Sequence, residues 1–506
     1  MKVLGALALV GCILPHFVFA QDSTNTVQAA TQDCLNSKDV PVYWMSSPEY
    51  SELAEPFNLR LEYKPLVIVV PTTAKHVQDA VSCAAQCGVK VQPRGGGHSY
   101  ASYSSGGKDG SMVINLEELH EVKLDTATGI AKVGGGVRLG NMAQKIYDQG
   151  KRALPHGTCP GVGIGGHATH GGYGYTSRTW GYALDTIVAV DVVLADGSLV
   201  KASFDENADI FWALRGAADS FGIILNFYLK TEPAPDSLTF FQFGWDNIAV
   251  PGSTKDTFTN TFLHFQDFAT NASVVDDRIA FGVNLMYDDH FTLSGTFFGS
   301  AAEFNQAIKP ELLRGVPTPT VINTVRDMEW IPYLILFGGA DDITEPETGY
   351  DEHDDFFAKS ITVPESDGLS KAALDSFYDY ISAGDAPSSY FVIVNLYGGP
   401  GSAIATKDTD FAAYRERDSL WVFQNYGERA NANPGIVPWI NGMNDAVINA
   451  QPNTEFGAYL NYVDPSYSAQ EAHRLYYGHE LYARLLAFKK KYDPKNVFWN
   501  PQAIGA

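Results

Sequence analysis

Two side chains able to form covalent bonds stand beside bare backbone. In "RGGGHSY" (residues 94–100) three glycines run directly into His98. In "HGTCPGVGIGGHATHGGYGY" (residues 156–175) Cys159 opens a second glycine-rich stretch. Successive glycines leave backbone N–H groups uncovered, and such a loop can cradle a pyrophosphate. Imidazole and thiolate are good nucleophiles. One such motif alone reads as a tight turn with a surface histidine. Two together point to a phosphate-bearing group cradled between the loops, with a side chain able to form covalent bonds on each.

Neighbouring patterns exclude other chemistries. Gly161, Gly163 and Gly166 satisfy G-x-G-x-x-G with Asp185 about twenty residues on, which invites a nicotinamide site. That fingerprint needs an apolar strand immediately before it. "KRALPHGTCP" is not one, and Asp185 precedes its strand instead of ending it. His167 and His170 lie three apart without the glutamate of "HExxH", so they are expected to pack beneath the cofactor, and no metal site is expected. No G-x-S-x-G occurs, which disfavours a serine hydrolase. "DEHDD" (residues 351–355) reads as a solvated acidic loop.

The elements that must position these loops are legible around them. "PLVIVV" is a strand, and Val77, Ala80, Ala84 and Cys87 then recur at helical spacing, with Gly88 placed to cap the helix. "VKV" begins the strand that delivers the first glycine loop. "MVINL" and "HEVKLDTATGIAKV" alternate around turn residues and predict a hairpin. Leu139, Met142 and Ile146 predict a helix ended by Gly150, and "TIVAVDVVLADGSLVKAS" reads strand, turn, strand. After "TEPAPDSL" long alternating strands appear ("TFFQFGW", "RIAFGVNLMY", "FTLSGTFFG", "YFVIVNLYGG") with helices between them. They predict a second lobe on a broad antiparallel sheet. A helix carrying Leu475, Tyr482, Leu485 and Phe488 on one face follows near the end.

Composition bounds the rest. The 506 residues are 45% hydrophobic, enough for two full cores. Residues 1–20 read as a secretory leader: Lys2, an apolar run, then Val18 and Ala20 at the cleavage positions. Removing Lys2 with the leader takes the net charge from −23 to −24, which repels nucleic acid and anionic lipid. Four cysteines then remain: Cys34, Cys83, Cys87 and Cys159. Cys83 and Cys87 lie one helical turn apart, a spacing that rarely bridges, so a long-range bond from Cys34 is favoured. Asn271, in "NAS", is the one N-glycosylation acceptor.

"PRGGGHSYASYSSGG", "HGTCPGVGIGGHATHGGYGYTSRTWGYALD" and "ADIFWALRGA" resemble flavoenzymes of the vanillyl-alcohol-oxidase and berberine-bridge-enzyme type. Within that type the chain is most similar to the secreted fungal gluco- and chito-oligosaccharide oxidases. The resemblance is dense in the first lobe and at the C-terminus, and thin from about 240 to 380. It implies a two-lobed α+β fold, with the FAD-binding lobe from residues 21–232 and 456–506 and an antiparallel-sheet substrate lobe from 233–455. It implies FAD bonded to His98 through the 8α-methyl and to Cys159 through C6. Further cofactor contacts are implied at Arg94, Gly95, Gly96, Gly97, Ser99, Gly157, Gly161, Val162, Gly165, Gly166, Gly171, Gly172, Tyr173, Gly174, Gly222, Ile223, Asn500 and Gln502. The family pattern pairs Cys34 with Cys83, which leaves Cys87 as a buried free thiol.

The same resemblance assigns the substrate end. In "YLNYVD" Tyr462 matches the catalytic base and Tyr459 a substrate contact. A free phenol has a pKa of about 10 and needs help to act as a base. The sugar oxidases supply an aspartate on a substrate-lobe strand. Here "YFVIVNLYGG" puts Asn395 at that position and Ile393 where a polar sugar contact is expected. Tyr100 and Gln424 are further substrate contacts. Val162, a small side chain, implies an oxidase at a position that governs oxygen access. The expected reaction is oxidation of an alcohol or hemiacetal carbon by a secreted, monomeric oxidase. The favoured substrate is an oligosaccharide reducing end, with molecular oxygen as acceptor. Alternatives are a non-sugar alcohol or secondary metabolite, and a dehydrogenase or flavin-loaded binding protein.

Overall fold

The computed structural model describes residues 16–246, 248, 253–287, 291–384 and 386–506, with side chains from residue 26. Residues 1–15 of the expected leader lie outside them, and the expected cleavage junction falls within the helix His16–Asn36.

The N-terminal region is layered around two small sheets. The first orders its strands Val42–Trp44, Val67–Val69, Met112–Asn115, Val91–Arg94, the last three mutually parallel. Helix Ala74–Cys87 crosses between the parallel strands. Thr73 caps its start and Gly88 ends it at φ 72°, a left-handed conformation that glycine adopts without strain. Cys83, on its buried face, forms the disulfide with Cys34 on the N-terminal helix. Cys87 is free but half-buried, more accessible than expected.

The second sheet is antiparallel: Val122–Asp125, Ile130–Gly134, Ile223–Lys230, Ile187–Val193, Leu199–Ser203. The expected hairpin lies wholly within this sheet, between its first two strands. "MVINL" joins the parallel sheet instead, because the four residues of its strand, Met112–Asn115, are all buried and have no solvent face to alternate with. The helix Leu139–Gly150 includes Gly150, and Lys151 takes the left-handed cap at φ 53°.

Beyond residue 237 seven strands form one antiparallel sheet, ordered Ile322–Met328, Leu238–Trp245, Phe291–Phe297, Ile279–Met286, Tyr390–Leu396, Ser419–Glu428, Phe356–Pro364. Alternation divides its faces. Val392, Val394 and Leu396 enter a large aromatic core with Trp421, Phe423 and the helices Lys255–Ala269, Lys371–Ser382 and Ile436–Ala450. Phe391, Ile393 and Asn395 point the other way, across from Tyr426, Gln424 and Val422 of the next strand.

The C-terminus returns to the first sheet. Val91 and Phe498 form a parallel bridge, and Val91 N–H donates to the Val497 carbonyl at 2.8 Å. Buried Lys489, on the helix Ala469–Tyr492, donates to Asp493 and to the carbonyls of Ser220 and Phe498. Its charge is thereby paired and fully hydrogen-bonded, which a buried ammonium requires. The return therefore braces the strand that leads into the first glycine loop.

Candidate active site

Both glycine loops open onto one cavity of about 790 Å³, which the sheet face carrying Ile393 and Asn395 closes from the far side. The loops meet backbone to backbone. A Cβ on Gly96 would lie 2.2 Å from the Gly163 nitrogen, and one on Gly163 would lie 2.1 Å from the Gly96 nitrogen. No side chain fits at either point, so this contact, as much as turn geometry, explains the glycines. Gly97 turns the chain toward His98 at φ 85°.

His98 and Cys159 line the same cavity. The His98 ring stacks on Phe57, centroids 4.0 Å apart, and its Nε2 is buried without a hydrogen-bond partner among the described residues. Burial, then the charges of Arg138 and His353, push its pKa down to about 3. The imidazole is therefore neutral, with a lone pair available. The thiol of Cys159 is exposed only toward the cavity, and burial within the molecule pushes its pKa up, against a hydrogen bond with Thr158.

Tyr462 and Tyr459 sit in the cavity wall on the turn Leu460–Tyr462 and its leading residue. The Tyr462 ring stacks on Tyr100 at 5.4 Å and meets Tyr459 edge-on at 4.9 Å. Tyr100 is fixed in turn by Gln424, whose Nε2 donates to its hydroxyl at 2.7 Å. Burial, followed by Tyr100 and Tyr459, raises the Tyr462 pKa well above the ordinary phenol value. The Tyr459 hydroxyl accepts N–H groups of Gly172 (3.1 Å) and Tyr173 (3.0 Å) and the Asn461 amide (3.0 Å). It is turned to the glycine loop and holds that loop in place, while its ring stands near-perpendicular to that of Tyr462.

The other expected contacts divide. Gly95, Gly96, Gly97, Ser99, Gly157, Gly161, Val162, Gly165, Gly166, Tyr173, Gly174, Gly222, Asn500 and Gln502 line the cavity with Ile393, Asn395 and Gln424. Four take other positions. Arg94 spends its guanidinium on the carbonyls of Leu53 and Ser104 and on the Ser105 hydroxyl, and lines a side cavity of about 70 Å³. Gly171 packs against Tyr414, Gly172 against His167 and Ala183, and Ile223 belongs to the core of the first sheet. Asn271 follows the helix Lys255–Ala269, its Oδ1 accepting from Ser273.

Several wall residues have little sequence signal. The segment "DEHDD" is a loop with Asp351 and Glu352 exposed, yet its other side faces the cavity: Glu352 and Asp354 line it, Tyr426 donates to Asp354, and His353 Nδ1 lies 2.8 Å from the Pro56 carbonyl. Tyr350 reaches from the same segment over Gly161. Phe356, Tyr426 and Phe391 stack in series, at 4.4 and 4.5 Å, as an aromatic wall. His167 Nε2 accepts the Gly157 N–H at 2.9 Å and, by burial and then His156, has its pKa lowered to about 3. His170 pairs with Asp219, which also accepts from Asn500 at 2.8 Å.

The cavity suits a dinucleotide. Its size is that of a cofactor cleft. Bare backbone forms one wall, His98 and Cys159 line it, and the buried His98 Nε2 and Gln502 Oε1 have no hydrogen-bond partner among the described residues.

Residues 65–203 match the family described as FAD binding domain, and residues 458–505 match the one described as berberine and berberine like. The chain is 36% identical to a xylooligosaccharide oxidase of Thermothelomyces thermophilus over 96% of both chains. It belongs to the berberine-bridge-enzyme-like FAD-linked oxidoreductases. The solved xylooligosaccharide oxidase from Myceliophthora thermophila, in complex with xylobiose, superposes with a TM-score of 0.88 over 94% of this chain and 99% of that one, at 35% identity. A glucooligosaccharide oxidase from Acremonium strictum with 6-S-cysteinyl, 8α-N1-histidyl FAD superposes at 0.86 over 94% and 99%, at 31% identity. An FAD-linked oxidoreductase of Metarhizium anisopliae is 35% identical over 94% of this chain and 91% of its own. The fold is thus the mixed α+β fold of this family, and the chain is an FAD-dependent oxidoreductase of CH–OH donors.

Proposed function

We propose that the protein is a secreted oxidase that holds FAD through His98 and Cys159. It oxidises the reducing-end C1 of an oligosaccharide to a lactone and reduces oxygen to hydrogen peroxide. The observation that carries this is the convergence of His98, Cys159 and Tyr462 on one cavity. The oligosaccharide oxidases among its relatives support the substrate class. The leader-like start and the Cys34–Cys83 disulfide support an extracellular location.

When bound, FAD supplies the two-electron acceptor that takes hydride from carbon and passes the electrons to oxygen. The chain's own residues do the rest. The glycine loops offer N–H groups to the phosphates. Tyr462 accepts the proton of the substrate hydroxyl at its phenolic oxygen. Its raised pKa makes the phenolate scarce near neutrality, so proton acceptance improves as pH rises. Gln424 holds Tyr100, and Tyr100 holds the ring of Tyr462. Asn395 can orient a hydroxyl but cannot take up its proton.

A second reading, a non-sugar alcohol, draws on Ile393. It places a branched alkyl group on the cavity face beside the stacked Phe391–Tyr426–Phe356 wall. The deciding experiment measures peroxide release by the purified yellow protein with gluco-, xylo- and chito-oligosaccharides, simple sugars, and benzylic and allylic alcohols. Peroxide with an oligosaccharide is the expected result. Peroxide only with a non-sugar alcohol replaces the substrate, and flavin reduction without peroxide makes the protein a dehydrogenase. For attachment, His98→Ala should leave flavin bound through Cys159 alone. Complete release of FAD on denaturing that variant would overturn the Cys159 assignment.

A further inference from the structure

Arg138 belongs to neither glycine motif, yet its side chain joins them. Its Nη1 donates to the Gly96 carbonyl at 2.9 Å, two residues before His98. The same nitrogen donates to the Gly161 carbonyl at 2.5 Å, two residues after Cys159. The Cys159 loop is already pinned to this part of the chain by backbone. Leu139 N–H donates to the Val162 carbonyl, Gly140 N–H to that of Pro160, and Ile164 N–H to that of Val137. The His98 loop is joined to it by the Arg138 side chain and by close backbone approach at Gly95 and Gly96, while Ser104 Oγ donates to the Gly97 carbonyl from the loop's other side.

The guanidinium is itself held. Tyr350 covers it, ring centroid 3.7 Å from Cζ, and lies 5.5 Å from the His98 ring. Tyr350 comes from the far lobe, in the segment whose Glu345 exchanges hydrogen bonds with Asn141. Arg138 is 7% exposed, so its two bonds are shielded from competing water.

We propose that Arg138 is a positioning residue for cofactor attachment: it sets the spacing of the two glycine loops so that His98 and Cys159 reach one ring together. This rests on the attachment reading given above. Each attachment replaces one hydrogen of the ring system and one of the imidazole or thiol by a new C–N or C–S bond. Two electrons and two protons leave, and molecular oxygen takes them as hydrogen peroxide. Burial, with the Arg138 charge adding to it, keeps His98 neutral, the form that has a lone pair to give.

The test compares wild type, Arg138→Gln, Arg138→Lys and Tyr350→Ala, each expressed with FAD. The readouts are peptide masses covering His98 and Cys159, flavin fluorescence after denaturing electrophoresis, and hydrogen exchange at residues 95–99 and 159–165. Misplacement by about 1 Å costs a positioned reaction on the order of a hundredfold, so formation of the second bond should slow by about tenfold to a hundredfold in Arg138→Gln. Exchange should rise in the His98 loop more than in the Cys159 loop. Lysine keeps the charge but not the planar fork, and should behave like glutamine. Tyr350→Ala, which leaves both bonds possible but the guanidinium loose, should show the same loss in weaker form. Wild-type kinetics of both bonds, with unchanged exchange, in Arg138→Gln or Arg138→Lys would overturn the proposal. If wild type itself lacks flavin mass on either peptide, the attachment reading fails. Hydrogen exchange then still decides whether Arg138 ties the loops.

Discussion

The two ends of the cavity are built from different materials. The glycine-loop end is backbone against backbone, with Gly96 and Gly163 in contact and carbonyls gathered by one arginine. The sheet end is side chain against side chain, with Phe391, Ile393 and Asn395 alternating out of a strand whose other face is core. At Gly96, Gly163 and Gly174 the backbone wall accepts no side chain, because a Cβ there collides with main chain that cannot rotate away. A side-chain wall can be rewritten residue by residue while Val392, Val394 and Leu396 keep the strand in place. The fold therefore separates a fixed backbone end from an adjustable side-chain end, and under the proposed function the first takes the cofactor and the second the substrate.

Gly96→Ala should break the comparison most severely. Its Cβ would fall 2.2 Å from the Gly163 nitrogen, so the loops must part. Loss of bound flavin is expected, read as flavin absorbance per chain in the purified protein. Normal loading would mean the loops have slack and the cofactor end is not fixed. Tyr462→Phe should leave flavin loading intact and slow substrate-dependent flavin reduction by about 10²–10⁴-fold, the usual worth of a positioned base. A loss below tenfold would move the base elsewhere. Ile393→Ser tests the adjustable end. Flavin content should be unchanged and stability lower by about 1 kcal/mol, while the preference between sugar and apolar alcohols shifts by about tenfold or more. Unchanged preference would remove Ile393 from the substrate wall.

The last expected effect concerns pH. His167 must be neutral to accept the Gly157 N–H, and its folded pKa of about 3 lies below that of a free histidine. The unfolded chain takes up the proton first. The stabilisation is thus complete above about pH 6.5 and is lost as pH falls toward 3, by about 2 kcal/mol at pH 5. His167→Gln keeps an acceptor that does not titrate, so its melting temperature should fall less steeply on acidification. Parallel slopes for the two proteins would assign the acid sensitivity to other groups.

Much of the cofactor end could be read from the chain. Three glycines before His98, and Cys159 within its own glycine run, are local patterns whose meaning lies in their spacing. The alternation of "YFVIVNLYGG" likewise settles that Ile393 and Asn395 share a face, because a strand's period is two. Gly88 as a helix cap follows from left-handed backbone alone. What lay beyond local reading shares a cause. "DEHDD" keeps Asp351 and Glu352 exposed, as its charge suggests, but its segment is also drawn to the cavity by Tyr426 and by the Pro56 carbonyl, far off in sequence. Arg94 stands at the head of the glycine motif, yet three groups behind it claim its guanidinium. Tyr459 keeps its place in the motif while its hydroxyl turns to the Gly172 and Tyr173 amides. For Arg138 one signal was present, an arginine directly after Gly134, Gly135, Gly136 and Val137.

By itself, then, the sequence determined which backbone had to be bare, which side chains could bond a cofactor, and which strand residues share a face. Each of these follows from steric and period rules that act over a few residues. Only the tertiary structure decided that the two glycine loops touch, that Arg138 spans them under Tyr350, and that an acidic segment from the other lobe lines the cavity. Those contacts join residues far apart in the chain, and no local propensity encodes which hydrogen-bond partner a buried guanidinium or phenol will find.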